Sequence, residues 1–469
     1  MKYFGTAGIR GEYPHFVSPE LAFRVGLALS AYLNENSNIN VAWDSRTTSQ
    51  LLALSVASGI MAGGSKALLL GMLPTPALAY SVRKLGSKAG VIITASHNPP
   101  KDNGLKIFDE KGMEYTESKE EKIEELIEKS DNLKLPWNKV GSFAIHDGML
   151  QEFLDDIYHR FSNITPSLQL NVIVDCANGS GSYATPVILR KLGVKVYSLN
   201  CNPDGFFPGR YPEPRPDVLM PFHALLSSLN AQMYLAHDGD ADRLSVMTPR
   251  HGFLKQDYLI AIYALDKLSE KRRGKIIVSP DVGNSVYEIA ERFSAEVIVW
   301  KLGKLHEKLV EHPDAILIAE PWKLIDPQWG PWVDGVYQSA YLVSILYKNK
   351  MNLDNLVELI PRYYWARGDA TYSSHQEKNN VYSIAITKIS ELGSDVRDIV
   401  RIDGVRVNFN DDSWVLLRAS GTEPKIRFYL EAKTKERFQE LKDKTLSIIK
   451  KSTESSEAKI IDIKINEGY

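Results

Sequence analysis

Several short stretches of this 469-residue chain carry residue types that do chemistry only in company. The first is Ser96-His97-Asn98, within Thr94-Ala95-Ser96-His97-Asn98-Pro99-Pro100. It follows the apolar run Val91-Ile92-Ile93, which reads as a buried strand. A serine at the exposed end of such a strand, beside a histidine and ahead of two prolines, is held where a substrate can reach it, as a covalent nucleophile must be. Taken alone, the stretch also fits a hydrolase elbow or a tight turn, although no glycines flank Ser96 as they flank an elbow serine.

The second stretch is Asp238-Gly239-Asp240-Ala241-Asp242-Arg243, after strand-like Met233-Tyr234-Leu235. In extended backbone alternate side chains point the same way, so the three carboxylates are expected to converge. Converging carboxylates repel unless a divalent cation neutralises them, and an all-oxygen ligand set suits Mg2+ or Ca2+. An EF-hand loop needs glycine where Arg243 stands and glutamate where Pro249 stands, which excludes that reading. Three carboxylates leave a hard cation short of ligands, and a phosphate oxygen is the natural partner of Mg2+. The bland alternative is a polar turn of solvated aspartates.

The third stretch, Arg418-Ala419-Ser420-Gly421-Thr422-Glu423-Pro424, follows strand-like Val415-Leu416-Leu417. Hydroxyls, turn N–H groups and a guanidinium make a phosphate cradle. Two weaker signals accompany these. Phe4 to Gly11 puts Arg10 in a glycine-rich turn, and Asn103-Gly104-Leu105-Lys106 puts a lysine just before strand-like Ile107-Phe108. Such a lysine can support phosphoryl transfer or move a proton.

The elements that must position these residues alternate through about the first 350 positions. Strand-like Ile39 to Trp43, helical Leu51 to Ala62 and strand-like Lys66 to Leu70 come first. Val172 to Val174, Ile276 to Val278, Val297 to Val299 and Ile316 to Ile318 are later strand candidates. Short, β-branched, apolar runs separated by helical patterns predict α/β layers with buried strands. The last segment differs, with two strands and then an amphipathic helix carrying Phe438, Leu441, Ile448 and Ile449, an α+β texture. Expected segments are 1–150, 151–250, 251–366 and 367–469. The charged stretch Thr116 to Lys129 reads as a solvated helix laced with ion pairs.

Composition narrows the class. Hydrophobic residues make up 44% and charged residues 24%, with a net charge of −2, so no basic field points to nucleic acid. The two cysteines, Cys176 and Cys201, give neither a disulfide framework nor metal-ligand spacing. No signal-peptide pattern opens the chain, and no apolar run nears the roughly 20 residues that span a bilayer. A cytoplasmic protein without membrane or nucleic-acid partners is expected.

With these motifs in this order along the whole chain, the sequence resembles the α-D-phosphohexomutase family, which includes phosphoglucomutase, phosphomannomutase and phosphoglucosamine mutase. Phe206-Phe207-Pro208-Gly209-Arg210-Tyr211-Pro212-Glu213-Pro214 also matches a segment of that family. The resemblance implies three similar mixed α/β domains plus a smaller C-terminal α+β phosphate-binding domain around a central cleft. It implies an isomerase that interconverts hexose or hexosamine 6-phosphate and 1-phosphate through a phosphoserine and a bound 1,6-bisphosphate. Ser96 then matches the phosphoserine, and Asp238, Asp240 and Asp242 match Mg2+ ligands completed by the phosphate on Ser96. Arg10, His97, Lys106 and Arg243 match residues around the transferring phosphate, with Lys106 the general acid/base candidate. Arg418, Ser420, Gly421, Thr422 and Arg427 match the distal phosphate loop. A hexose 1,6-bisphosphate is the implied activator and a sugar phosphate the implied partner, with a homodimer permitted.

The sugar-reading loop departs from the commoner family pattern, Gly-Glu-x-Ser-Gly-His. Here it is Ala319-Glu320-Pro321-Trp322-Lys323-Leu324, with Gly330-Pro331-Trp332 nearby, a form that resembles an archaeal branch of the family. Glu320 and Lys323 are expected to contact the sugar. The preceding loop, Lys301-Leu302-Gly303-Lys304-Leu305-His306, also departs and offers Gly303, Lys304 and His306. The identity of the sugar is left open. A sugar-phosphate phosphatase and a catalytically inactive sugar-phosphate-binding protein are the competing classes.

Overall fold

A computed structural model of the chain describes residues 2–5, 8–34, 36–389, 392–421 and 423–468. Two compact units emerge. One comprises Met1–Gln256 with Trp322–Glu358, the other Asp257–Pro321 with Leu359–Tyr469.

The first unit contains a seven-stranded sheet in the order Phe4–Gly5, Gly8–Glu12, Asp102–Asp109, Ala89–Ile93, Asn38–Trp43, Lys66–Met72, Phe143–Ile145. Its centre is parallel, and the 89–93 and 102–109 strands pair antiparallel. The apolar run predicted around Val91 is the fully buried strand Ala89–Ile93. Burial on both faces explains its continuous hydrophobicity. Ile39, Val41, Val91, Ile93, Leu105 and Ile107 share one core with helix residues Val25, Leu29, Val56 and Ile60.

A second sheet of the same unit joins Asn171–Asp175, Lys195–Leu199 and Met233–Ala236 in parallel, and adds Ser245–Thr248 and Gly252–Phe253 antiparallel. The expected boundary at 250/251 thus falls in the turn of a hairpin. The charged stretch is helix Glu117–Glu128, but it is not merely solvated. Ile123 and Ile127 are buried against the first core, and the Glu124 carboxylate accepts the N–H groups of Lys2, Tyr3 and Phe4.

In the second unit Glu296–Val299, Lys275–Val278 and Ala315–Glu320 run parallel. Six antiparallel strands follow in the order Val396–Val400, Val405–Phe409, Trp414–Ala419, Lys425–Ala432, Tyr364–Thr371, Asp462–Gly468. Helices His375–Ile389 and Lys435–Ser455 cover this sheet through Val381, Ala385, Phe438, Leu441 and Ile449. The expected boundary at 366/367 falls inside strand Tyr364–Thr371. Gly368 is there not for a turn but for close packing, since a Cβ would lie 2.3 Å from the Phe428 ring. No described helix is long and apolar enough to cross a membrane.

Candidate active site

Ser96 sits three residues beyond strand Ala89–Ile93, and its backbone turns left-handed there, with φ +53°. A non-glycine residue holds that conformation only when its surroundings fix it. The Ser96 N–H donates to Thr94 Oγ1 at 2.8 Å, and the hydroxyl donates to Asp238 Oδ2 at 2.8 Å, with His97 Nδ1 at 3.3 Å. The expected exposed serine is in fact 1% exposed. The acidic turn covers its hydroxyl, and Gly239 lies on its carbonyl, where a Cβ would be 2.6 Å from the Ser96 oxygen. That contact, not a special φ, is why glycine separates the first two aspartates.

The three carboxylates do converge, with ligand atoms within 4.8 Å of one another and all three residues buried. The route differs from the extended alternation expected. The eight residues 237–244 between strands Met233–Ala236 and Ser245–Thr248 form a loop that turns at Gly239-Asp240, with Ala241 left-handed at φ +55°. Alanine seldom adopts αL, so residue types alone do not reveal this turn.

Lys106 lies within strand Asp102–Asp109 rather than before it, and donates to Asp240 Oδ2 at 2.7 Å and Asp242 Oδ2 at 2.9 Å. Thr75 Oγ1 donates to the same Asp240 oxygen at 2.5 Å. Burial acts to lower the Lys106 pKa, but Asp240 and Asp242 outweigh it and the value is raised. Burial, with Asp242 and Asp240 adding, pushes Asp238 well above the usual carboxylate range. Asp242 goes the other way. Burial opposes its charge, yet Lys106, Lys323 and Arg243 hold its pKa down. Oδ1 of Asp240 and Oδ1 of Asp242 are buried without a hydrogen bond. Two orphan carboxylate oxygens beside a third acid are what a hard divalent cation would satisfy, so the cluster fits a metal ion.

Cations surround this cluster. Arg10 lies on strand Gly8–Glu12 opposite Gly104, not in a turn, and its Nε is buried without a hydrogen bond. Arg243 Nε is 3.7 Å from Asp238 Oδ2, and Nη1 is 3.5 Å from Glu213 Oε1. Burial, then the charges of Arg243 and Arg10, lowers the His97 pKa well below the usual imidazole value. Lys323 belongs to this unit, and its charge acts on both His97 and Asp242. Trp322, at φ +69°, accepts the Leu244 N–H on its carbonyl at 3.2 Å, and its ring faces the Arg243 guanidinium at 5.9 Å.

The remaining expected residues lie in the second unit. Arg418 ends strand Trp414–Ala419, and its Nε donates to Asp403 Oδ2 at 2.8 Å. Ser420 N–H donates to the Lys425 carbonyl at 2.9 Å, and the Ser420 carbonyl accepts Lys378 Nζ at 2.7 Å. The loop therefore closes on itself, with Gly421 at its tip, where a Cβ would meet nothing within 4 Å. Thr422 lies outside the described residues. Glu423 pairs with Lys425 Nζ at 2.6 Å and Arg427 Nη2 at 3.0 Å. Glu320 ends strand Ala315–Glu320 and accepts the Gly303 N–H at 2.6 Å. Leu302 N–H reaches the Asp403 oxygen that holds Arg418. Glu320, Gly303 and Arg418 are thus tied by a short relay of hydrogen bonds. Lys304 N–H donates to the Lys301 carbonyl at 3.2 Å, and His306 is buried in the following 3-10 turn Leu305–Glu307. Thr75, Asp403 and Lys378 gave no signal in the sequence, because their contacts come from distant segments.

Comparison with known proteins shows the family and the fold. The family profile described as phosphoglucomutase/phosphomannomutase, alpha/beta/alpha domain I matches residues 1–134; domain II matches 151–252, and the C-terminal domain matches 376–448. A Thermococcus kodakarensis protein named "Phosphopentomutase" is 37% identical over 98% of this chain and 100% of its own length. A Methanobrevibacter smithii protein named "Probable phosphoglucosamine mutase" is 36% identical over 96% of this chain and 99% of its own. The fold of a phosphoglucomutase/phosphomannomutase family protein from Burkholderia thailandensis superposes with a TM-score of 0.84 at 23% identity, covering 97% of this chain and 98% of that one. The matched profiles and full-length relatives place the chain among the phosphosugar mutases. The chain belongs to the α-D-phosphohexomutase family and is an isomerase of the phosphotransferase kind.

Proposed function

We propose that the chain interconverts a sugar 6-phosphate and 1-phosphate of the hexose or hexosamine series by way of Ser96. The observation that carries this reading is the Ser96 hydroxyl on Asp238, 2.8 Å away, inside a cluster of three acids and several cations. Phosphoryl transfer needs alignment and neutralised charge more than covalent help from the protein. In the first half-reaction the phosphoryl group on Ser96 Oγ passes to the free hydroxyl of the sugar phosphate. The Ser96 O–P bond breaks, a new O–P bond forms, and the proton of the sugar hydroxyl ends on the Ser96 oxygen. The bound 1,6-bisphosphate then presents its other phosphate, which returns to Ser96.

Asp238, Asp240 and Asp242 would hold Mg2+, together with an oxygen of the phosphate on Ser96. When bound, the ion supplies charge neutralisation at the transferring group. Arg10 and Arg243 neutralise the equatorial oxygens. Neutral His97 can donate or accept a hydrogen bond there. Lys106, held protonated by two carboxylates, is the residue placed to give a proton to the leaving Ser96 oxygen and to regain one from the attacking hydroxyl. Arg418, Ser420, Gly421, Thr422 and Arg427 hold the phosphate that is not reacting, while Glu320, Gly303, Lys304 and His306 read the sugar; Lys323, expected with them, acts instead on the charge of His97 and Asp242. We assign four domains whose limits lie near, not at, the expected 250/251 and 366/367, a small sugar phosphate as the partner, a hexose 1,6-bisphosphate as the activator, and a cytoplasmic setting in keeping with the two free cysteines.

A second reading, a pentose phosphate as substrate, is favoured by the name of the Thermococcus kodakarensis relative. One panel decides between them: 1-phosphates of glucose, mannose, glucosamine and ribose, each with its bisphosphate activator and Mg2+. Turnover of a hexose or hexosamine phosphate well above ribose 1-phosphate supports the first reading, and the reverse order supports the second. Release of inorganic phosphate without isomerised product overturns both in favour of a phosphatase.

A further inference from the structure

Asp44-Ser45-Arg46 follows strand Asn38–Trp43, far from the serine motif in sequence. Arg46 is 3% exposed, and all five guanidinium N–H groups are engaged. Nη2 donates to the carbonyls of Ser96 at 2.9 Å and Asn98 at 2.7 Å. Nη1 donates to those of Pro99 at 2.6 Å and Asp102 at 2.9 Å. Nε rests on Asp44 Oδ2 at 3.2 Å, and the other Asp44 oxygen takes the Arg46 N–H and the Ser49 hydroxyl. The face of the guanidinium is covered by Phe207, 4.9 Å from the ring centroid.

The serine loop needs such an external donor. Pro99 and Pro100 have no N–H, so the loop is short of donors for its own carbonyls, and buried carbonyls left unpaired are costly. Ser96 is also left-handed at φ +53°, a conformation its surroundings must impose. A planar fork that reaches four carbonyls at once can impose it. A lysine has three donors at a single point and cannot span them.

We propose that Arg46 is a positioning residue: it clamps four carbonyls of the 96–102 loop and so sets the line along which the Ser96 hydroxyl meets the phosphoryl group. It touches no reacting atom. The proposal rests on the phosphoserine reading above for its effect on turnover, but the clamp itself can be tested apart from chemistry.

The experiment compares Arg46→Lys, Arg46→Ala, Asp44→Asn and Ser96→Ala in the full chain. Hydrogen–deuterium exchange of the peptide spanning 94–103 reads the clamp. Turnover, KM and intact mass after incubation with glucose 1,6-bisphosphate read the chemistry. Arg46→Lys should exchange faster in that peptide and not in the second unit, and should lose kcat on the order of 10²-fold, the cost of displacing a reacting group by about 1 Å. KM should stay within about threefold, because no ligand contact is lost. Asp44→Asn should show a smaller loss of the same kind, and guanidinium ion at a non-denaturing concentration should restore part of the Arg46→Ala activity. Where Arg46→Ala does not fold, Arg46→Lys and Asp44→Asn carry the test. Unchanged exchange at 94–103 in a folded Arg46→Lys protein overturns the clamp, as does kcat within about threefold of wild type. A fully active Ser96→Ala protein overturns the phosphoserine reading instead, and leaves the exchange result to judge the clamp alone.

Discussion

In the unit that carries Ser96, one lysine answers two buried carboxylates at 2.7 and 2.9 Å, and a third acid holds the serine itself. In the unit that carries Arg418, the cations have softer partners: Arg427 shares Glu423 with Lys425, and the Arg427 and Glu423 side chains are 34% and 41% exposed. Both regions concentrate charge after a strand, but they differ in what an arriving phosphate meets. Removing one member of the buried set strands a charge out of water, which is strongly destabilising to that set. Removing one member of the half-exposed set leaves water and a neighbouring cation as substitutes. Changes in the first region are therefore expected to move kcat by orders of magnitude, and changes in the second to act mainly on KM.

The largest effect should come from Ser96→Ala. With no oxygen to carry the phosphoryl group, turnover should fall by about 10⁴-fold or more, the scale seen when a covalent nucleophile is lost. Intact-mass spectrometry should find one phosphate on active wild-type protein after bisphosphate treatment and none at position 96 in the variant. A phosphate mapped elsewhere on active protein would move the reaction centre out of the acidic cluster.

Next in size are Asp238→Asn, Asp240→Asn and Asp242→Asn, each tested singly. Each should lower kcat by about 10²–10³-fold, as loss of one preorganised electrostatic contact does. The Asp240 change also disturbs Lys106 and Thr75, so its thermal midpoint should be followed alongside. Excess chelator should abolish wild-type turnover, and Mg2+ should restore it. Full activity in chelator would leave the acidic turn as a purely proteinaceous counter-charge for Lys106.

Each region was legible in the sequence only in part. Ser96, the three aspartates and Arg418 stand in compact motifs beside apolar strands, so both residue types and position pointed to them. What stayed hidden was the backbone route. The acids converge through a left-handed Ala241, not through strand alternation; Arg10 lies inside a strand although nearby glycines suggested a turn, and Lys106 lies inside a strand rather than just before it. Gly104 and Gly239 mark close approach instead, each within 3 Å of another segment's carbonyl if a Cβ were added. Contacts between distant segments were hidden altogether, which is why Arg46, Thr75 and Asp403 were not foreseen. Their side chains are ordinary in their local context, and only tertiary structure gives them partners.

Arg418→Ala tests the softer region. A charge-assisted hydrogen bond to phosphate is worth about 1.5–3 kcal/mol, so KM should rise by about 10–100-fold. The variant also frees Asp403 Oδ2, which still holds the Leu302 N–H, so the 301–306 loop should keep its place. Phosphorylation of Ser96 by a bisphosphate at saturating concentration should proceed near the wild-type rate. If kcat falls as far as in the Asp→Asn series, the anchoring and transfer regions are not separable in the way argued.

The smallest effects should come from the sugar loop, and they divide it. Glu320 and Lys323 are three residues apart, yet they belong to different units. Glu320 sits with Gly303, whose N–H it accepts at 2.6 Å, in the loop relay that ends at Arg418. Glu320→Gln keeps an acceptor oxygen for that N–H and removes the charge proposed to meet sugar hydroxyls. Its signature should be a KM rise of roughly three- to tenfold with little change in kcat, in line with a weakened charge-assisted hydrogen bond. Lys323, in contrast, is one of the charges that keep Asp242 ionised and His97 neutral. Lys323→Ala should therefore behave like a mild member of the buried set, lowering kcat by about 3–10-fold and shifting KM less, because a partly exposed cation is screened. Measured on each sugar phosphate of the panel, Glu320→Gln should alter the ranking of substrates, and Lys323→Ala should lower all of them by a common factor. A common factor from Glu320→Gln and an altered ranking from Lys323→Ala would reverse the assignment, making the lysine the sugar reader and the glutamate a brace for Gly303.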